Sequence, residues 1–268
     1  MNQNYPNSKA RQVLSVDHVS IKREGRELLK DISVELNSGE VLAIIGPNGA
    51  GKTTLLNTIT GELTPNHGSV HVCGQMFKDW GIQIRAKSLA VLPQLSLLNF
   101  PYTVHEVVSL GRTPHSTGVE IDDTIIQGAM VLMDIEYLSD RLYTQLSGGE
   151  KQRVQLARVM TQIWRDEDAE QRLLLLDEPT TALDIAHQQM LMNAVATFSK
   201  NGAAVCMVVH DVNIAANFAD KVIALRNGET LAVGTAEDVI TEKTMTALFG
   251  AEIEIVEHPK TKNKVILT

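Results

Sequence analysis

The stretch that most constrains this chain is Gly46-Pro47-Asn48-Gly49-Ala50-Gly51-Lys52-Thr53, which follows directly on the apolar run Val41-Leu42-Ala43-Ile44-Ile45. It has the form G-x-x-x-x-G-K-[ST] of the phosphate-binding P-loop, set between a strand-like run and the helix-like segment 54–60. The residue types follow from what a triphosphate needs. Its charge is met most economically by backbone N–H groups in a tight loop that opens a helix, where unpaired amides and the positive end of the helix dipole converge. Gly46, Gly49 and Gly51 let the backbone bend and approach phosphate oxygens without a Cβ in the way. Pro47, Asn48 and Ala50 complete the loop, Lys52 reaches the terminal phosphates as a mobile charge, and the Thr53 hydroxyl is placed to ligate a bridging Mg²⁺. Thr54 extends the donor set. A chain carrying this element is expected to have an α/β fold with the loop at the carboxyl end of a buried strand.

The bulk properties agree with such a fold. A length of 268 residues suits one large α/β domain or one domain with an inserted subdomain. Hydrophobic residues make up 44 % and aromatics only 4 %, so the interior is expected to be aliphatic, as in a parallel sheet covered by helices. The formal net charge of −8 argues against sequence-independent binding of nucleic acid through a broad basic face. Cys73 and Cys206 lie in apolar surroundings without metal-ligand spacing and read as buried, inert thiols in a reducing compartment. No apolar run approaches the ~18–20 residues needed to cross a bilayer, and residues 1–11 are polar and expected to fray rather than to serve as a signal peptide.

Alternating residues at 13–21 and 32–36, joined through a turn at Gly25, predict an antiparallel start. Further strands are expected at 69–72, at 89–92 up to Pro93, at 173–176, and at 203–209. A hairpin should form from 222–225 and 230–233 around Asn227-Gly228, and a final one in the tail from 253–256 and 265–267. Between residues 95 and 145 the texture turns helical, with amphipathic segments at 102–110 and 121–133, and Ser147 opens another helix running to Ile163. The chain is therefore read as a single domain, 1–268, in which a helical subdomain at about 95–160 is inserted into a core spanning 12–250, followed by a tail at 251–268. The charged run Arg165-Asp166-Glu167-Asp168-Ala169-Glu170 is read as a solvated loop, and 186–199 as a helix.

Two further motifs decide what kind of nucleotide chemistry is expected. Four leucines run into Asp177-Glu178, placing two carboxylates at the end of a buried strand, where ligands of open α/β sheets bind. Asp177 suits a magnesium shell, and Glu178 is placed to polarise a water in line with the terminal phosphate; a capped helix start at Asp-Glu-Pro is the alternative for the pair taken alone. Leu146-Ser147-Gly148-Gly149-Glu150-Lys151-Gln152 puts a serine and two glycines at a helix N-terminus, a second anion cradle of the same physical kind.

The order P-loop, Gln94, LSGGEKQ, LLLLDEP, Thr181-Ala182-Leu183-Asp184 and His210 resembles that of the ATP-binding cassette (ABC) ATPases and spans nearly the whole chain. The resemblance implies a P-loop NTPase fold with a mixed sheet core, an antiparallel β subdomain and an inserted helical subdomain, and it implies ATP and Mg²⁺ as ligands. It also implies a homodimer, because in that family two subunits pack head to tail and the Ser147-Gly148-Gly149-Glu150 loop of one closes on ATP held by Lys52 of the other. Carried over position by position, Gln94 is expected to ligate Mg²⁺ or its water, Asp184 to couple the two sites, and His210 to contact the γ-phosphate beside Glu178. The family's adenine-stacking aromatic is missing near residues 21–23, where Arg23 offers a guanidinium plane instead.

Asn99-Phe100-Pro101-Tyr102-Thr103-Val104 and Gly111-Arg112-Thr113-Pro114-His115 resemble ATPases of bacterial metal-chelate importers, the haem, siderophore and vitamin B12 group. Residues 154–164, the acidic loop and residues 181–189 are most similar to the haem importers. That likeness implies two transmembrane permease subunits as partners, a periplasmic binding protein acting indirectly, no nucleic acid, and a peripheral place on the cytoplasmic face of the cell membrane. His105, His115 and His187 are read as lying on the helical or exposed surface that meets partner subunits rather than on iron. Importers of a ferric siderophore or vitamin B12, and a soluble ABC ATPase with no transport role, are the alternatives.

Overall fold

A computed structural model describes residues 11–94, 100–181, 183–259 and 264–267. The readings made for residues 1–10, Asn99 and Ala182 lie outside these described residues. The chain begins with a long antiparallel hairpin, β1 (Gln12–Arg23) and β2 (Arg26–Asn37), then enters the fully buried β3 (Val41–Ile45), the P-loop and α1 (Lys52–Ile59). Next come β4 (His67–Val72), β5 (Gln75–Met76), α2 (Ile82–Ser88) and β6 (Leu89–Leu92). Three helices follow, α3 (Val104–Ser109), α4 (Val119–Leu132) and α5 (Gly148–Gln162), before the chain returns to β7 (Leu173–Asp177). The remainder is α6 (Ile185–Lys200), β8 (Ala204–Val208), α7 (Val212–Phe218), β9 (Lys221–Arg226), β10 (Glu229–Thr235), α8 (Ala236–Val239), α9 (Glu242–Phe249), β11 (Glu254–Glu257) and β12 (Lys264–Leu267).

Two sheets organise this order. The larger runs β10-β9-β3-β8-β7-β6, parallel from β9 through β6, with β10 added antiparallel at one edge by the Asn227-Gly228 turn. The smaller, β2-β1-β4-β5, is antiparallel. Strict two-residue alternation divides each central strand between two cores. Val41, Ala43 and Ile45 of β3 pack with the helices α3 to α7, whereas Leu42 and Ile44 pack with α1 and the antiparallel sheet. Burial on both faces is what allows such continuous aliphatic runs in these strands. Because β3, β7 and β8 are neighbours and parallel, their carboxyl ends open on one rim, and that is where residues 46–53, Asp177-Glu178 and His210 emerge.

The helical stretch between β6 and β7 is locally determined. Thr103 and Glu106 form a reciprocal capping box at the start of α3, and Ser147 and Glu150 form another at α5. α4 turns Ile125, Ile126, Ala129 and Met130 inward at helical spacing. Helices α2, α7, α8 and α9 escape a periodicity reading because each is only four to eight residues long. The tail hairpin forms as expected, β11 pairing antiparallel with β12.

Two expectations are corrected. The acidic run is not uniformly solvated, because the Asp168 side chain is only 7 % exposed. Nor does His115 lie on the surface, its side chain being 1 % exposed. Arg112 explains both. Its buried guanidinium donates from Nε to Asp122 at 2.7 Å, from Nη1 to the Thr161 carbonyl at 2.8 Å, and from Nη2 to Asp168 at 3.1 Å and Thr117 at 3.0 Å. His115 fills the remaining side, with Nε2 2.8 Å from the Gln162 carbonyl and Nδ1 3.5 Å from Asp168, and its desolvation lowers the imidazole's pKa. A charged loop is drawn inward when one planar donor can satisfy several acceptors at once. Arg112→Ala should therefore destabilise the chain by about 3–5 kcal/mol, because Asp168 is left buried without its partner. Urea unfolding checks this, and an unchanged midpoint would remove Arg112 as the organiser of this corner.

Candidate functional site

The P-loop is shaped by its surroundings as much as by its own residues. Gly46 has φ +153° and lies so close to β9 that a Cβ there would sit 2.2 Å from the Leu225 carbonyl oxygen. Gly51 caps α1 at φ +104°, with a would-be Cβ 2.8 Å from Leu29 Cδ2. No side chain caps this helix and its first turn holds no acid, so the N-terminal amides are left to an anion. The Lys52 ammonium folds back onto the carbonyls of Gly46 at 2.8 Å and Pro47 at 3.0 Å. Desolvation lowers its pKa, opposed by the charges of Glu178 and Asp177. An arriving phosphate would therefore find a lysine already in the cradle and held only by exchangeable neutral acceptors.

On the neighbouring strand end, Asp177 and Glu178 face different tasks. Asp177 is buried, and its Oδ1 has no hydrogen-bond partner. Burial raises its pKa, and the adjacent Glu178 charge adds to the shift, while Lys52 and His210 oppose it. Together with Thr53 and Gln94 it lines a small recess of about 280 Å³ between α1 and β6. An all-oxygen set of hydroxyl, amide and carboxylate, with one buried carboxylate oxygen unsatisfied, fits a hard divalent cation such as Mg²⁺. Glu178 takes the left-handed conformation at φ +52°, which is costly for a non-glycine residue, and its N–H is anchored on the Val208 carbonyl at 3.1 Å. That bend projects its carboxylate toward the rim, where Gln94 Nε2 donates to Oε2 at 2.8 Å and His210 Nε2 lies 2.5 Å from Oε1. Side chains from two other loops thus converge on this one carboxylate.

A cavity of about 530 Å³ joins residues 48–54 to Glu178 and His210. Its remaining wall consists of Glu27 and Leu28 of β2 and the Asn227-Gly228 turn. Arg23, at the exposed tip of the first hairpin, does not line it. Sequence reasoning had no signal for these four wall residues beyond a strand and a turn, since they reach the P-loop only through sheet packing.

Ser147 lies elsewhere. Its Oγ accepts from the Glu150 N–H at 3.3 Å, and Glu150 accepts from the Ser147 N–H at 2.7 Å, which holds the Glu150 pKa low. With Gly148, Gly149 and Glu150 it lines a concavity of about 510 Å³ that also takes in Asp184 and His187. Asp184 caps α6 by accepting from the His187 N–H at 2.9 Å. This second cradle shares no lining residue with the P-loop cavity.

A lysine-bearing P-loop beside a strand-end Asp-Glu pair on a parallel sheet defines a P-loop nucleoside triphosphatase. The insertion of a capped glycine-rich helix start between the Gln94 and Asp177 strands narrows the class. The chain belongs to the ABC transporter family, as its ATP-binding domain, the family model matching residues 29–181. It is 43 % identical over 256 residues to the hemin import ATP-binding protein HmuV of Pseudomonas entomophila, covering 96 % of this chain and 100 % of that protein. Against the protein of the same name from Gloeobacter violaceus it is 46 % identical over 250 residues, covering 92 % and 91 %. Among solved structures it is similar to a metal-chelate type ABC transporter in an inward-facing conformation, with TM-score 0.79, 26 % identity and coverage of 96 % and 97 % of the two chains. Among the described residues no helix is long and apolar enough to cross a membrane.

Proposed function

We propose that this chain is the ATP-hydrolysing subunit that drives import of haem through a membrane permease, docking at the cytoplasmic face of the cell membrane. The observation that carries this reading is the near full-length likeness to hemin import ATP-binding proteins, extending over both chains. ATP would bind with its phosphates on the amides of residues 46–54, Lys52 turning from the Gly46 and Pro47 carbonyls to the terminal phosphates. Thr53, Asp177 and Gln94 would hold Mg²⁺, which when bound would offset the negative charge of the triphosphate as the γ-phosphoryl bond to ADP breaks. Glu178 then takes a proton from the attacking water, and His210 orients that carboxylate and faces the γ-phosphate.

The separation of the Ser147 cradle from the P-loop cavity supports a homodimer. Ser147, Gly148, Gly149 and Glu150 of a second copy, with its Asp184, would complete each ATP site. Hydrolysis is then gated by closure of the pair, which the permease and a periplasmic binding protein control. The test is uptake by proteoliposomes holding the chain with the permease that copurifies with it. ATP-dependent accumulation of labelled haem, in excess over a ferric siderophore and vitamin B12, is the expected result. Preference for either of the other two would overturn the substrate, and copurification with soluble partners alone would overturn the transport role.

A further inference from the structure

The C-terminal hairpin is a structured element for which the hydrolytic reading has no task. A two-stranded ribbon is at best marginally stable by itself, so β11 and β12 have to be held by the rest of the chain. Three of the anchors among the described residues are these. Ile253 and Ile266 are buried in the same core as Val212, Ile214 and Ala215 of α7. Lys264 Nζ donates to the carbonyls of Glu237 and Ile240, each at 2.8 Å, at the end of α8. The Ile266 N–H donates to Asn213 Oδ1 at 2.8 Å.

The third anchor leads toward the site. Asn213 is the second residue of α7, three positions beyond His210. Its own N–H donates to the Asp211 cap at 2.8 Å and its carbonyl accepts from Asn217 Nδ2 at 2.6 Å. α7 is only seven residues long, and helices far shorter than ~12–15 residues depend on tertiary anchors for their pose. His210, immediately before the cap, is half exposed and meets Glu178 through a single ring nitrogen. Where the first turn of α7 sits therefore decides whether the imidazole reaches the carboxylate.

We infer that Asn213 is a positioning residue for His210, through which the C-terminal hairpin sets the rate of ATP hydrolysis. The inference rests on the reading of Glu178 and His210 as the hydrolytic pair. In the full chain, Asn213→Ala should lower kcat for ATP roughly tenfold, less than the ~100-fold that a 1 Å misplacement of reacting groups costs, with KM within about twofold. Asn213→Asp keeps the acceptor for the Ile266 N–H and should recover most of the rate. A chain ending at Ile253 loses this hydrogen bond together with the other hairpin anchors and should lose at least a similar factor, and adding Asn213→Ala to it should cost nothing more, because the Ile266 N–H that Asn213 accepts from is already gone. Multiplying losses, an aspartate no better than alanine, or a rise in KM in place of the fall in kcat would each overturn the inference. If the shortened chain fails to fold, the alanine and aspartate variants of the full chain decide the matter. Glu178→Gln measured in parallel separates the two readings. Full activity there removes the hydrolytic assignment, whereas slow hydrolysis there with a wild-type rate in Asn213→Ala removes only the role of Asn213.

Discussion

Glu178→Gln should still bind ATP within a few-fold of the parent affinity while hydrolysing it about 10²–10⁴ times more slowly, the range a positioned general base contributes. The amide preserves the size of the side chain and the backbone bend at φ +52°, so the change is confined to the loss of a proton acceptor. Gln94 and His210 approach the two carboxylate oxygens separately. An amide can satisfy both neighbours but cannot accept the proton of a water. Because turnover stops after binding, the ATP-loaded state should accumulate, and size-exclusion chromatography with ATP should show a stable dimer. Single-turnover hydrolysis at the parent rate would remove Glu178 as the base, and slow hydrolysis with no dimer would count against completion of the site by a second copy.

Lys52→Ala should weaken ATP binding roughly a hundredfold, the upper part of what a hydrogen bond to a charged group contributes when one partner is deleted. In the unliganded chain the ammonium is buried against Gly46 and Pro47, with a pKa lowered by desolvation. The triphosphate supplies the opposite charge that this arrangement lacks, so the lysine gains most in the bound state. Equilibrium binding of a fluorescent ATP analogue measures the loss, with thermal unfolding as the control that the loop still folds. Unchanged affinity would mean that the amides of α1 alone carry the phosphates.

The strands were legible because their pattern is local. Five consecutive apolar residues in β3, and four in β7, imply burial on both faces wherever they pack. The capping boxes at Thr103 and Ser147 are local too, each a serine or threonine followed three residues later by Glu106 or Glu150, although only the Ser147 helix start was read from the sequence. Misreadings arose where one distant residue changed another's environment. Asp168 looks like any exposed acid until Arg112, 56 positions away, offers it a buried donor. Glu27 and Leu28 of β2 line the cavity in the unliganded chain, whereas Arg23 stands at the exposed tip of the same hairpin.

From the sequence alone came the phosphate cradle, the strand-end carboxylates and the order of motifs that marks the family, because each depends on residues adjacent in the chain. Tertiary structure decided that Gln94 and His210, 84 and 32 positions from Glu178, meet on its two oxygens. It also decided that the Ser147 cradle stands apart from the P-loop and that the last strand holds Asn213. The physical reason is that periodicity and capping record which face of an element is buried, whereas contacts across tens of residues depend on strand order, register and the bend at each strand end.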